Sequence, residues 1–130
     1  MYQTVIVAGN VGKDAEMRYT PSGAAVASFS VATNNNYTKS DGSNEKQTVW
    51  FRVSTWGKLA DVCNQYVKKG NLVLVEGRLE ADTNGGPRVW TAKDGTNRSS
   101  FEVNASVVRF LSQRQEAAQD SLPPSDEIPF

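Results

Sequence analysis

Histidine is missing altogether from these 130 residues. Its absence removes the usual general base near neutral pH, Ser-His and Cys-His nucleophile activation, and the commonest zinc ligand. Cysteine occurs once, as Cys63. No internal disulfide or thiolate-zinc cluster can form, and a reducing compartment fits. No apolar run approaches the roughly 20 residues that a membrane-spanning helix needs. The opening "MYQTVIVAGN" has no basic region ahead of its apolar residues, so neither a signal peptide nor a membrane anchor is expected, and cytoplasm is. The phosphate-binding patterns G-x-x-x-x-G-K-[ST] and G-x-G-x-x-G are lacking too. "GNVGKD" at Gly9–Asp14 has the wrong glycine spacing and no hydroxyl residue after Lys13. Asp14 and Glu16 offer a carboxylate pair for enzyme chemistry, but they read as surface charge. No catalytic residue, metal or cofactor is expected.

What is present is a globular composition, 38% hydrophobic and 22% charged, enough for one domain with its own core. The formal net charge of zero hides an asymmetry. Residues 1–110 carry thirteen basic and ten acidic residues, a net +3. Residues 111–130 carry one basic residue, Arg114, and four acids, Glu116, Asp120, Asp126 and Glu127, a net −3. A mildly basic domain over 1–111 is therefore followed by an acidic tail over 112–130, and halves of opposite sign suggest different jobs.

Apolar alternation predicts strands at Gln3–Val11, Ala25–Thr33, Thr48–Trp56, Leu72–Glu80 and Ser99–Phe110. Gly77 marks a bend or bulge. "TPSG" at Thr20–Gly23 favours a type I turn, and Asp94-Gly95 a tight hairpin. "NNNYTKSDGSNEK" reads as a long polar loop. Only Lys58–Lys69 has a helical period, with Leu59, Val62, Cys63, Tyr66 and Val67 on one face, Lys68 and Lys69 suiting its C-terminal dipole and Gly70 its cap. Cys63 then packs rather than reacts. Three strands, a helix and two or more strands are the element order of an all-β, five-stranded Greek-key barrel of the OB type. A sandwich of immunoglobulin type would want more strands and no central helix. Beyond Leu111 the apolar periodicity stops, and "SQRQEAAQDSLPPSDEIPF" is expected to be disordered, with a frayed helix over "SQRQEAAQ" as the alternative.

The stretch "TVWFRVSTW" (Thr48–Trp56) has two unlike faces. Val49, Phe51 and Val53 make a core stripe, while Trp50, Arg52 and Trp56 point the other way. Phe29, Phe51, Tyr66 and Phe101 fall on predicted core stripes; Tyr37, Trp50, Trp56 and Trp90 do not. The latter have basic neighbours: Lys39 near Tyr37, Arg52 by Trp50, Lys58 by Trp56, Arg88 and Lys93 by Trp90. Flat rings interleaved with cations suit single-stranded nucleic acid, because unstacked bases lie on the rings while cations follow the phosphates. Stacking accepts any base, so little sequence preference is expected. Plainer readings stand beside this one: Trp50 as half-buried structure or part of a subunit interface, Trp56 as a cap on the barrel, Arg52 as the partner of a cross-strand carboxylate.

"GNVGKDAEMRYTPSGAAVASFSVAT", "TVWFRVSTWGKLADVCNQYVKKGNLVLVEGRL", "VWTAKDG" and the terminal "DEIPF" resemble, in order, the successive elements of the bacterial single-stranded DNA-binding protein family. The resemblance covers essentially the whole chain. It implies a homotetramer that wraps single-stranded DNA on its OB-folds, in the cytoplasm on the nucleoid. By motif position, it implies base stacking on Tyr37, Trp50, Trp56 and Trp90. Phosphate would be tracked by Lys13, Arg18, Lys39, Arg52, Lys58, Lys69, Arg88, Lys93 and Arg98. Asp126, Glu127, Ile128, Pro129 and Phe130 would be the docking tip for replication, recombination and repair proteins. Phe51 departs from the histidine that many members carry, and "DTNGGPR" lengthens the arm before Trp90. Two other readings stay open: a primosomal OB-fold protein, which usually lacks an acidic tip, and a metal-dependent nuclease, which would need an acidic cluster.

Overall fold

Valines and small residues alternate with polar ones through most of residues 1–111, the part of the chain that the computed structural model describes. They fold as β1 (Val5–Val11), β2 (Glu16–Tyr19), β3 (Ala25–Thr38) and β4 (Asn44–Trp56), then helix α1 (Gly57–Tyr66). After the helix come β5 (Leu72–Leu79), β6 (Val89–Thr91), β7 (Asn97–Ser99) and β8 (Phe101–Phe110). The main sheet runs β1-β5-β8-β4-β3 and closes where β3 pairs back to β1 at Asn10↔Ala32 and Val11↔Val31. The five strands of this barrel, with α1 between the third and fourth, make the predicted OB-fold. β4 and β8 run parallel, and β2 is added outside, on the free edge of β3. Val7, Val11, Phe29, Val31, Val53, Val73, Val75 and Val103 fill the interior. No helix among the described residues is long and apolar enough to cross a membrane. The expected tail, 112–130, lies outside the described residues.

Four turns share one design. At Thr20–Ala24, Lys39–Ser43, Asp82–Gly86 and Ala92–Thr96 the first residue's N–H donates to the fifth residue's carbonyl at 2.8–2.9 Å. The glycine in fourth place donates back to the first residue's carbonyl at 2.8–3.0 Å. Those glycines (23, 42, 85 and 95) all have φ between 85° and 92°, a left-handed conformation that a type I turn with a following bulge requires. The predicted turns at Thr20–Gly23 and Asp94-Gly95 are two of the four.

The polar run expected to be a loop is instead a ribbon. β3 and β4 continue past the barrel and stay paired through Thr38↔Asn44, leaving only the turn at Lys39–Ser43. Polar side chains knit it together. Thr48 Oγ1 donates to Asn34 Oδ1 at 2.7 Å, Thr38 Oγ1 to Asn44 Oδ1 at 3.2 Å, and Lys39 pairs with Glu45 at 2.6 Å. Such a ribbon has no buried face to impose apolar alternation, so the usual strand signal is lost.

The helix also differs from expectation. It buries Ala60 and Cys63, and the extended residue after it, Val67, is buried too. Val62 and Tyr66, predicted for the core, are exposed, because a ten-residue helix lying on a barrel touches it along a narrow stripe. Helix geometry ends at Tyr66, and Val67 N–H closes it by donating to Cys63 O at 2.8 Å. Lys68–Asn71 is a separate turn with Gly70 at φ 91°, so Lys68, Lys69 and Gly70 do not belong to the helix terminus. Burial pushes the Cys63 thiol above its ordinary value, in keeping with a packing role.

β8 begins at Phe101 rather than Ser99, which belongs to β7. Its alternation breaks at a bulge: Gly77 faces Ala105 but Glu76 faces Val107, leaving Ser106 as the extra residue. Beyond the bulge Val108, not Val107, packs on the core, so the parity of Val103 and Ala105 is not continued. A side chain at Gly77 would collide with the Asn104 carbonyl and lie 2.8 Å from Ala105 Cα. Phe101, also predicted for the core, is 60% exposed. It sits at the rim where β8 first meets β4, its ring 5.9 Å from that of Phe51.

Candidate nucleic-acid interface

Residues opposite one another in an antiparallel ladder share a face, so the register of β2, β3 and β4 writes out the outer surface row by row. Arg18, Val26 and Trp56 form one row, and Glu16, Ser28 and Ser54 the next. Ser30 with Arg52, Ala32 with Trp50, Asn34 with Thr48 and Asn36 with Lys46 continue it. Trp50 is 52% and Trp56 42% exposed. Their rows lie six residues apart, about 20 Å along the strand. Val26 is buried yet outside the core cluster, in the row between Arg18 and Trp56. Trp56 itself is not a member of the core cluster.

Other elements bring cations to this face. Trp50 lies against the backbone of Gly12, where an added Cβ would stand 2.7 Å from ring atom Cζ3. The Gly12 N–H donates to Ser30 O at 2.9 Å, which ties the start of the segment carrying Lys13 to β3. Lys13 pairs with Glu16 at 3.8 Å, both side chains exposed, a contact worth little. Trp56 is the N-cap of α1, so Lys58 follows within its first turn. Arg52 stands opposite Glu102 in the β4–β8 register, but Glu102 pairs with Arg88 instead. Arg52 forms no ion pair among the described residues, which removes the cross-strand reading of it. Lys46, on the same face of β4, was hidden from sequence reasoning by the loop assignment.

Trp90 belongs to a separate hairpin, β6–β7, which pairs only with itself. It stands opposite Arg98, whose guanidinium is held by Asp94 at 3.2 Å. Lys93 occupies the turn between the two strands. The Arg88 guanidinium carbon lies 5.3 Å from the Trp90 ring centre, and the hydrogen bond and charge of Glu102 raise Arg88 above its ordinary pKa.

Tyr37 stands apart from the tryptophans. It lies on strand β3, not in a loop, opposite Glu45, and so shares the face of Val49 and Phe51 rather than that of Trp50. Glu45 also holds Lys39, so Tyr37, Glu45 and Lys39 group on that side of the ribbon. Lys69 lies in the turn after α1, where its amide donates to Asp14 Oδ1 at 2.8 Å. Asp126 to Phe130 lie outside the described residues.

Residues 2–111 match the single-strand binding protein family. The chain belongs to that family. Proteins of the family bind DNA and are not enzymes, which answers the nuclease alternative. The single-stranded DNA-binding protein of Helicobacter hepaticus is 36% identical over 130 residues, covering 100% of this chain and 68% of that one. That of Wolinella succinogenes is 39% identical over 114 residues, covering 88% and 67%. Among solved structures, the Plasmodium falciparum SSB complex with ssDNA superposes with a TM-score of 0.70 at 24% identity, covering 86% of this chain and 97% of that one. At that identity the likeness speaks to the fold.

Proposed function

We propose that this chain binds single-stranded DNA with little base preference, stacking bases on Trp50, Trp56 and Trp90, with Tyr37 taking a base on the opposite side of the ribbon. Lys13, Arg18, Arg52 and Lys58 on the sheet face, and Arg88, Lys93 and Arg98 on the arm, take the phosphates; Lys39 and Lys69 serve more peripherally. The observation that carries the reading is that Trp50 and Trp56 stand half exposed on the same sheet face as Arg18 and Arg52. A core would not leave the rings out, and a solvated face would not need them. The family match ends at residue 111, which supports a domain boundary there. The segment 112–130 would then carry a docking tip, Asp126–Phe130, for replication, recombination and repair proteins. The working form is a homotetramer acting on the nucleoid in the cytoplasm.

Titration of tryptophan fluorescence with oligo(dT) at several salt concentrations tests the binding. Emission should be quenched strongly, and duplex DNA of equal length should compete poorly. The slope of log affinity against log salt should be about −0.7 per phosphate neutralised. Lys58→Ala or Arg52→Ala should flatten it by roughly that amount each if each meets one phosphate. Equal competition by duplex would refute the single-strand reading, and a slope indifferent to both substitutions would refute the assigned cations.

A further inference from the structure

Glu102 is an acid where a polyanion-binding protein should avoid one. It stands on β8 opposite Arg52, and its side chain is only 10% exposed. Arg88 Nη2 donates to its Oε2 at 2.5 Å, and Ser100 Oγ donates to the same oxygen at 3.0 Å. Glu80, whose N–H donates to the Glu102 carbonyl at 2.8 Å, adds a weaker charge effect that also raises the Arg88 pKa. The other side of Arg88 lies over the Trp90 ring. One guanidinium is thus strung between a carboxylate rooted in the barrel and an indole on the arm. The arm's own strands pair only with each other, so their ladder does not fix the arm to the barrel.

We propose that Glu102 is a positioning residue for the arm. It anchors Arg88, and Arg88 covers one face of Trp90, leaving the opposite face pre-set for a base. This rests on the reading that Trp90 stacks with single-stranded DNA. A charge-assisted hydrogen bond from a well-shielded carboxylate holds direction as well as charge. A ring ordered before binding loses less freedom when a base arrives. Glu102 therefore aids DNA binding despite its sign, which is the opposite of what Coulomb repulsion alone demands.

The sign makes the test. In the full chain, Glu102→Ala should weaken oligo(dT) binding roughly 2- to 5-fold, the scale of an exposed cation–π contact. Glu102→Gln, which keeps an acceptor for Arg88, should weaken it less. In an Arg88→Ala background the same Glu102→Ala change should no longer weaken binding and should tighten it, since only a repelling charge is lost. With Trp50 and Trp56 replaced by Phe, the emission of Trp90 should shift on Glu102→Ala before any DNA is added. Tighter binding by Glu102→Gln or Glu102→Ala in the otherwise native chain would overturn the proposal. So would an equal loss in the Arg88→Ala background, or unaltered Trp90 emission. The emission arm needs no DNA, so it judges the positioning role even if oligo(dT) fails to bind and the single-strand reading falls.

Discussion

Trp56→Ala should weaken oligo(dT) binding by about 1–3 kcal/mol, the value of one base stacked on an aromatic ring. Trp50→Ala should act similarly, and the double variant should lose nearly the sum, because rings whose rows lie six residues apart share no base. Stability should change little, since both side chains are largely outside the core. That separates this effect from ordinary core damage, where deleting a buried aromatic costs roughly 3–5 kcal/mol of folding free energy. Thermal melting and fluorescence titration on the same samples make the comparison. Intact affinity in both single variants would remove base stacking from this face. Intact affinity with a lowered melting temperature would mean that the rings are structural after all.

Much of that face could be read from alternation alone. Trp50, Arg52 and Trp56 share a parity opposite to Val49, Phe51 and Val53, and the structure keeps both assignments apart. The barrel followed from element order in the same way, because each core strand shows apolar residues at every second place. What escaped was long-range or lacked a buried face. Arg18 joins Trp56 only through β2, a four-residue strand too short to announce itself. Gly12, next to Lys13 in the chain, meets Trp50 only through the close approach of the ring to its backbone. Lys46 escaped, and Tyr37 was placed in a loop rather than on a strand, because the ribbon's polar pairs mimic loop composition. Phe101 kept the core parity of Val103 but sits at the rim, and parity cannot tell a strand's end from its middle. The Ser106 bulge moved the inner residue from Val107 to Val108; glycine at 77 signalled the irregularity but not which strand carries the extra residue. Arg88 and Glu102 are fourteen residues apart, and no local pattern couples them.

Deleting Asp126–Phe130 should abolish binding to partner proteins while leaving the barrel's melting temperature unchanged. Asp126–Phe130 join two carboxylates to Ile128, Pro129 and Phe130. That gives an apolar anchor flanked by negative charge, suited to a partner pocket with basic neighbours. Phe130→Ala alone should remove most of the binding, because a buried ring is the kind of group that dominates an interface. The same deletion should tighten DNA binding modestly at low salt. Residues 111–130 carry a net −3 against a net +3 on residues 1–110, so the proposed acidic tip would compete with phosphate for the basic face, and salt would screen that competition beyond about a Debye length of 10 Å at 0.1 M. Ser112–Ser125 spans fourteen residues, which reach at most about 50 Å even fully extended. Partners should thus be held near the barrel and near the bound strand. Pull-down of a helicase or recombination mediator from purified components, by the full chain, Phe130→Ala and the deletion, decides the matter. Equal capture by all three would refute the docking role, and a gain in DNA affinity that persists at high salt would refute the electrostatic competition.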